Sequence, residues 1–419
     1  MPSSCPELAV ATAAAARAKP WRLPAGMAFP LLAAVLFAFF FAAAAPSPLF
    51  VVFQHAWGFS SSLLTVAFAI YAIALLISLL VAGSLSDHIG RRPVVLAALV
   101  LQAVAMGLFL WAHGIGGLIV ARVVQGVATG IASGALSAAV VEAAPASRKR
   151  LGALITSVSP LAGLAAGALL TGMAVKLTGE PVMLVFGVLA VVFAMGAAVV
   201  LWMPETVTPR AGALASLVPR VSIPVQARAE FVRGLPVFVV VWALGGLFLS
   251  LAPSLMLHVF GIDNGVVNGL TVAVLSGVGA IAPTLLGRFA APRPAIVGMA
   301  SIALGIALLL ASFATRSLAL FFVGTAVAGI GFGGAFSALV QTLAPLAQSH
   351  ERGELFAAIF VVSYLAFSLP AMLAGFLVKP LGLLPTVEGY AAVLLLIAVA
   401  GTWSQWAVLR RERQRQGAR

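Results

Sequence analysis

Residues 83–93 read Gly-Ser-Leu-Ser-Asp-His-Ile-Gly-Arg-Arg-Pro and stand between two long apolar runs. The stretch carries three permanent charges within six positions, at Asp87, Arg91 and Arg92, although only 8% of the chain is charged. The apolar runs on either side are each about twenty residues long, which is the length that crosses the core of a lipid bilayer. The stretch therefore predicts a short charged turn at which two membrane-spanning helices meet in water.

The composition points to lipid as the main solvent of this chain. Hydrophobic residues make up 62% of the 419 residues, whereas soluble domains are about 45–50% apolar. The apolar runs are long and lack the short alternating segments of an outer-membrane barrel, so helices are the remaining way to satisfy the backbone in hydrocarbon. The composition predicts an all-α membrane protein. The single cysteine, Cys5, excludes a disulfide framework or a thiolate metal site, and no metal or cofactor is expected.

Twelve apolar runs of about twenty residues follow one another between residues 29 and 409, mostly with short connections. The exception is the stretch 204–234, which contains four prolines and several charges and divides the runs six plus six. The predicted organisation is a cytoplasmic N-terminal tail over residues 1–28, a six-helix bundle over 29–203, a cytoplasmic linker over 204–234, a second six-helix bundle over 235–409, and a basic cytoplasmic tail over 410–419.

The two halves repeat short motifs at corresponding helix ends. Ala45-Pro46-Ser47 recurs as Ala252-Pro253-Ser254, and Arg92-Pro93 recurs as Arg293-Pro294, at offsets of 207 and 201 residues. The constant order favours duplication, and parallel repeats of six helices around a midplane site are a transporter architecture. The expected fold is twelve transmembrane helices in two pseudo-symmetric six-helix bundles.

The net charge of +13 is explained by membrane topology rather than by nucleic-acid binding. In the twelve-helix topology, twenty basic residues fall on one side of the membrane and three, Lys176, Arg316 and Lys379, fall on the other. Cytoplasmic loops of membrane proteins carry such an excess of lysine and arginine. The chain is therefore predicted to be a multi-pass protein of the cytoplasmic membrane with both termini in the cytoplasm.

The charged turn resembles the signature loop between the second and third helices of the major facilitator superfamily, Gly-x-Leu-x-Asp-x-x-Gly-Arg-Arg/Lys. The matching residues are Gly83, Leu85, Asp87, Gly90, Arg91 and Arg92. The resemblance implies that Asp87 caps the start of the eleventh helix in the outward-facing state, and that the arginine pairs with Glu142 at the end of the fourth. These residues are expected to form a conformational latch, since a helix N-terminus favours a carboxylate. The alternative is a solvated turn that only sets the topology.

Arg122, Gln125 and Gly126 in the fourth predicted helix resemble a second motif of that family, Arg-x-x-Gln-Gly. An arginine within a span is costly and marks a functional site by default. Arg122 is expected to bind an anionic or polar substrate group or to modulate a proton step. Because it lies close to the helix start, the alternative is that its side chain reaches out to the outer membrane interface.

The fifth predicted helix contains Ser159-Pro160-Leu-Ala-Gly163, a partial match to the Gly-Pro-x-x-Gly-Gly element of exporters in that family. The resemblance associates this element with antiport, which makes Pro160 and Gly163 candidate coupling residues. Ser159 replaces the first glycine of the element and Leu164 the last. The alternative is ordinary packing of small residues between helices.

All eleven acidic residues fall in tails, loops or helix ends. An exporter of cationic drugs would place a carboxylate at mid-membrane, so this pattern favours neutral or anionic amphipathic substrates. A proton relay would have to use an interfacial group such as Asp87 or Glu142, or a histidine near the outer face. The cavity between the halves is expected to be apolar and aromatic with a few hydrogen-bonding groups. Its candidate residues are Phe40, Phe41, Tyr71, Trp242, Asn268, Ser337, Gln341 and Tyr364, of which Tyr71 and Tyr364 are the strongest.

Together these features predict a secondary active transporter that exports small amphipathic compounds by alternating access, with protons as the counter-transported ion. The alternatives are an uptake symporter or facilitator, and a receptor or scaffold that moves no solute, although a static scaffold would not need the latch motif. No phosphate loop, metal-ligand spacing or activated nucleophile predicts an enzyme. The expected partners are a small-molecule substrate, protons and the lipid bilayer, without nucleic acid, and the protein is expected to be a monomer.

Overall fold

The computed structural model describes residues 25–145, 147, 149–205, 207–289, 293–348 and 350–417. The predicted N-terminal tail lies outside the described residues except for 25–28, and so do residues 418–419 of the predicted basic tail. The described part of the chain consists of helices, turns and loops and contains no strand. The prediction of an all-α protein is confirmed.

The helices of the first half are Ala25–Ala44, Pro46–Trp57, Ser61–Ala82, Ser86–Ile89, Arg91–Leu110, Ile115–Ala143, Lys149–Leu177 and Pro181–Leu201. The helices of the second half are Val225–His258, Gly265–Leu286, Arg293–Thr315, Leu318–Leu343, Arg352–Leu381 and Leu383–Gly417. Twelve segments of the described chain are long and apolar enough to cross a membrane, the first being Met27–Trp57, which continues across the break at Ala45. The predicted number of spans is confirmed, and we number them 1 to 12 in chain order.

The linker between the halves ends earlier than predicted. Span 7 begins at Val225 directly after Pro224, so residues 225–234, expected as linker, form the first turns of a helix. These turns are polar because they continue the helix beyond its apolar run, and Arg233 pairs with Glu230 at 3.0 Å. A spacing of three residues links neighbouring turns of a helix. The last helix likewise continues to Gly417, through most of the predicted basic tail.

The two halves pack their helices in the same pattern. In the first half, span 1 packs on span 5, span 2 on span 4, and span 3 on spans 4 and 6. Each of these contacts recurs six spans later, with span 7 on span 11, span 8 on span 10, and span 9 on spans 10 and 12. This equivalence confirms the two pseudo-symmetric six-helix bundles that the repeated motifs predicted.

Sequential spans alternate in direction, so the connecting loops lie at two ends of the molecule. The end with loop 83–90 and linker 202–224 is named the basic end, because Arg91 and Arg92 lie there. The other end, where spans 2, 8 and 10 begin, is named the opposite end. Side-chain caps define these beginnings, because each capping oxygen accepts a hydrogen bond from a free backbone N–H of the first turn. The capping residues are Ser60, Asn264 and Ser317.

The two halves contact each other toward the opposite end. Span 5 packs along span 8, and span 2 packs along span 11. The hydroxyl of Ser62 donates to the carbonyl oxygen of Gly375 at 3.0 Å, and that of Ser47 donates to Leu249 at 2.8 Å. At the basic end, the side chain of Asp87 is 58% exposed and, within the described chain, makes no hydrogen bond or ion pair with the start of span 11. These contacts hold the halves together toward the opposite end, and the predicted contact of Asp87 with span 11 is not made at the basic end.

The contact between spans 5 and 8 is formed by Ala168, Gly172, Gly265 and Gly269, which we name the 5/8 seam. A Cβ atom at Gly172 would overlap the carbonyl oxygen of Gly265, and one at Gly269 would overlap that of Ala168. The two backbones therefore touch, and glycine is required because any side chain at these positions would separate the helices. The 5/8 seam closes the opposite end.

Candidate functional site

The loop of the first-half signature is held together by Arg91. Its Nη1 atom lies 2.5 Å from Asp87 Oδ1 and donates to the hydroxyl of Ser86 at 2.6 Å. Its Nη2 atom lies 3.2 Å from Glu142 Oε1 at the end of span 4. The structure thus brings Asp87, Arg91 and Glu142, which the sequence analysis singled out, into one ionic group at the basic end. Arg92 points elsewhere, and its guanidinium donates to the carbonyl oxygen of Leu201.

Glu205 is part of this group, and sequence reasoning missed it. Its carboxylate accepts hydrogen bonds from the backbone N–H of Arg91 at 2.8 Å and of Arg92 at 3.0 Å. It therefore caps span 3, a favourable position for a negative charge. Gly90 makes room for it: the backbone there has φ +102°, and a Cβ atom would lie 2.5 Å from the carboxylate.

One signal in the sequence could have pointed to Glu205. The helix that starts at Arg91 is preceded by Gly90 rather than by Ser, Thr, Asp or Asn, so its first N–H groups need acceptors from elsewhere. Spacing alone could not identify the acceptor, because Glu205 is more than a hundred residues away in the chain.

Arg122 is buried among three spans. Its Nε and Nη2 atoms donate to the carbonyl oxygens of Ala67 and Phe68 in span 2, at 3.2 and 3.5 Å. Its Nη1 atom donates to Gln125 Oε1 at 2.8 Å, and Gln125 Nε2 donates in turn to the carbonyl oxygen of Ala42 in span 1, at 2.8 Å. Only 1% of Arg122 is exposed. The alternative that its side chain reaches the membrane interface is therefore wrong.

The charge of Arg122 faces an aromatic ring rather than a carboxylate. The guanidinium carbon lies 4.2 Å from the ring centroid of Tyr71, the geometry of a cation–π contact. Within the described chain, no acidic side chain forms an ion pair with Arg122. Gly126 lets span 4 lie close to span 2 at this point, because a Cβ atom at Gly126 would overlap the carbonyl oxygen of Tyr71. The result is a buried positive charge next to the middle of span 2.

Pro160 and Gly163 both lie in span 5, and Gly163 lies where span 5 packs on span 1. A Cβ at Gly163 would lie 2.7 Å from the carbonyl oxygen of Phe37 and 2.8 Å from Cβ of Phe40, so the glycine sets the distance between the two helices. One turn further along span 5, Gly167 packs against Phe41 in the same way. This geometry is that of small-residue packing between helices, and it places Phe40 and Phe41 beside span 5.

Aromatic rings from both halves meet near the middle of the spans. The ring of Trp242 in span 7 lies 4.8 Å from that of Tyr364 and 5.9 Å from that of Phe367, both in span 11. It also lies 5.8 Å from Phe336 in span 10, and Phe367 lies 4.8 Å from Phe68 in span 2. These five residues are named the aromatic cluster.

The aromatic cluster contains two of the predicted cavity residues, Trp242 and Tyr364, and Tyr71 lies one turn from its member Phe68. Phe68, Phe336 and Phe367 were not predicted. Helical spacing could have indicated two of them, because residues three positions apart share a helix face, as Phe68 does with Tyr71 and Phe367 with Tyr364.

Two other predicted cavity residues, Asn268 and Gln341, lie away from the middle of the spans. Asn268 is in the first turn of span 8, beside the 5/8 seam at the opposite end. Gln341 is near the last turn of span 10, at the basic end, where it is exposed and its Nε2 donates to Ser337 Oγ at 3.0 Å. The expectation of mid-span depth for Asn268 and Gln341 is therefore wrong, because both residues lie within four positions of a helix end. No cluster of three or more potential metal-ligating side chains occurs in the described part of the chain.

The chain matches a known protein family in sequence and several solved structures in fold. Residues 32–371 match the family description Major Facilitator Superfamily. No curated protein matches the chain in sequence. A bacterial homologue of the human lysosomal transporter Spinster, in an inward-facing and unoccupied conformation, superposes with a TM-score of 0.71 over 94% of this chain and 98% of its own, at 14% identity.

Two further solved structures share the fold. A point mutant of the nucleoside transporter NupG superposes with a TM-score of 0.66, at 12% identity, over 92% of this chain and 99% of its own. The human organic anion transporter MFSD10 (TETRAN) superposes with a TM-score of 0.64, at 15% identity, over 91% of this chain and 100% of its own. At such low identity the likeness concerns the fold.

Proposed function

Because the chain belongs to the Major Facilitator Superfamily, and is a multi-pass secondary transporter rather than an enzyme, we propose that it exports small neutral or anionic amphipathic compounds across the cytoplasmic membrane in exchange for protons. The basic end is the cytoplasmic end in this proposal, as the excess of lysine and arginine suggests. Substrate binds between the halves, at the depth of the aromatic cluster, while the basic end is apart. Closure of the basic end and opening of the 5/8 seam then release it outside.

The observation that carries the substrate class is the buried, carboxylate-free environment of Arg122. A charge inside a membrane protein marks a functional pathway by default. A negative or polar substrate near Tyr71 is attracted by this charge, whereas a cation is repelled and finds no acidic side chain at mid-span. The aromatic cluster supplies the apolar surroundings that an amphipathic compound needs.

Few titratable side chains of this protein are placed to couple transport to protons. Asp87 and Glu142 lie at the basic end in the ionic group of Arg91, where closing and opening of that end changes their surroundings. The absence of acidic residues from the middle of the spans favours a second candidate function, facilitated diffusion without an ion. The two candidates differ in their response to a pH gradient.

We expect a pH gradient to drive transport by the purified protein in proteoliposomes. A panel of labelled neutral, anionic and cationic amphipathic compounds is to be followed with and without an imposed gradient. Antiport predicts that neutral or anionic members accumulate against their own gradient on the acidic side. Equal rates with and without the gradient would instead support the facilitator, and movement of none of the compounds would contradict the proposed function.

We expect Asp87→Asn to slow this transport about two- to fivefold, because the amide lacks the charge that the N-terminus of span 11 would attract when the basic end closes, an effect of about 0.3–1 kcal/mol. The matched control is Asp263→Asn, which removes a carboxylate from an exposed loop at the opposite end. The measurement is the initial rate of flux, with membrane insertion checked for both variants. An unchanged rate for Asp87→Asn would reject the latch.

A further inference from the structure

Trp242 is a partly buried side chain that packs against the hydrophobic cores of both halves. It lies in span 7 of the second half, and its ring contacts the edges or faces of Phe336, Tyr364 and Phe367. Through Phe367 it is joined to Phe68 of the first half. A ligand bound between the halves at this depth would therefore contact Trp242.

The polar atom of Trp242 is unpaired. Its indole Nε1 is buried and has no hydrogen-bond partner in the described part of the chain. A buried N–H without an acceptor is unfavourable, and hydrocarbon offers no water to replace the missing partner. Buried tryptophan N–H groups usually have such a partner. An acceptor atom from a bound compound would supply it.

We propose that Trp242 binds the transported compound, and that this compound is a planar aromatic molecule with an anionic oxygen, such as an aromatic carboxylate. This inference rests on the proposed function and specifies its substrate class. The rings of the aromatic cluster stack on the ligand ring or meet it edge to face. The indole N–H donates to the ligand oxygen.

The surrounding side chains argue for this class over others. The five rings of the aromatic cluster carry two polar groups, the Trp242 N–H and the Tyr364 hydroxyl. A sugar or a nucleoside would bring more hydrogen-bonding groups than these two can satisfy, and each unpaired group is costly in apolar surroundings.

The charge next to the cluster favours a negative ligand oxygen. Arg122 donates to the carbonyl oxygen of Phe68, a member of the cluster, and lies over the ring of Tyr71 in the same helix. Its charge is thus one helix turn from the rings. An aromatic cation would experience this charge as repulsion.

The test is equilibrium binding to the purified full-length protein in detergent, measured by isothermal titration calorimetry. The probes are 2-naphthoate and its saturated analogue decahydro-2-naphthoate, which share charge and approximate size and differ in aromaticity. We expect the wild-type protein to bind 2-naphthoate at least about tenfold more tightly than the saturated probe, because ring–ring contacts between aromatic groups add to the burial of apolar area.

Trp242→Phe keeps a ring and removes the N–H, and we expect it to weaken 2-naphthoate binding about tenfold, the effect of a lost hydrogen bond to a charged group. The matched control is Trp111→Phe at the end of span 3, where the side chain is 78% exposed, and it should bind like the wild type. Equal affinities of the wild type for both probes, no binding of 2-naphthoate, or wild-type affinity of Trp242→Phe would each overturn the inference. The comparison of probes on the wild type needs no variant to fold.

Failure of this inference can be told apart from failure of the proposed function. If amphipathic compounds are transported in proteoliposomes while 2-naphthoate does not bind, Trp242 is not the aromatic site and the transporter stands. If 2-naphthoate binds as expected while no compound is transported, the binding site stands and export is rejected.

Discussion

Arg122→Met should lower transport at least about a hundredfold. The methionine removes the three hydrogen bonds that the guanidinium donates, to the carbonyl oxygens of Ala67 and Phe68 and to Gln125 Oε1. A hydrogen bond to a charged group contributes about 1.5–3 kcal/mol, so their loss disturbs the arrangement of spans 1, 2 and 4 around Tyr71. The positive charge next to the proposed substrate site is lost in the same step. The measurement is initial flux in proteoliposomes at matched protein content.

Two comparisons separate a role in binding from a role in folding. Arg122→Lys keeps the charge but loses the planar fork that reaches several acceptors at once, so it should retain more transport than Arg122→Met. Lys379→Met removes a basic residue from an exposed position at the opposite end and should leave flux unchanged. If Arg122 recognises a negative substrate group, Arg122→Met should reduce transport of the anionic compounds of the panel more than that of the neutral ones, and this difference should be smaller with Arg122→Lys, which keeps the charge. A well-folded Arg122→Met protein with wild-type flux would contradict the assigned role.

Gly172→Leu is expected to reduce transport by about a hundredfold by holding the opposite end open. A Cβ at this position would already overlap the carbonyl oxygen of Gly265, and leucine adds three further carbon atoms. The obstacle is backbone in two packed helices, which cannot move aside as a flexible side chain would. The closed arrangement of the 5/8 seam therefore becomes inaccessible, and a transporter held in one state cannot complete its cycle.

The state of the seam can be measured directly. Thr171 is buried beside Gly172, so a cysteine there, in a background with Cys5 replaced by serine, should react slowly with a water-soluble maleimide. In the Gly172→Leu protein the same cysteine should react at least about tenfold faster, as expected for a shift toward the open population. Gly187→Leu in span 6 is the matched control, since a Cβ there meets no atom within 4 Å. Slow labelling and normal flux in Gly172→Leu would show that the seam tolerates the side chain.

The local sequence was sufficient to predict the membrane spans and the charged loop between spans 2 and 3. Crossing a bilayer depends on the mean hydropathy of about twenty consecutive residues, a property that needs no knowledge of neighbouring helices. The number of spans, the division into two halves and the position of Asp87, Arg91 and Glu142 at one end followed from such local patterns. The limits of the helices were less well determined, as at Val225, because helices continue into polar sequence beyond the membrane.

Pairings between distant residues required the tertiary structure. Sequence patterns could not predict that Arg122 contacts the carbonyl oxygens of span 2, or that Glu205 caps the first turn of span 3. They also did not predict the contact between Trp242 and Phe367. A helix of a soluble protein reveals its buried face by one apolar stripe. The spans of this protein are apolar on nearly all sides, and helices in lipid associate through shape and hydrogen bonds rather than through hydrophobicity.

The sequence by itself determined that this chain is a twelve-span, duplicated membrane transporter of the major facilitator type, because hydropathy, basic loops and a contiguous charged motif are local properties. Only the tertiary structure decided which end is closed, that Arg122 is buried without a carboxylate, and which aromatic rings meet between the halves. The physical reason is that these features depend on how each helix is rotated about its own axis. The sequence of a helix that is apolar on all sides does not indicate which face packs against its neighbours.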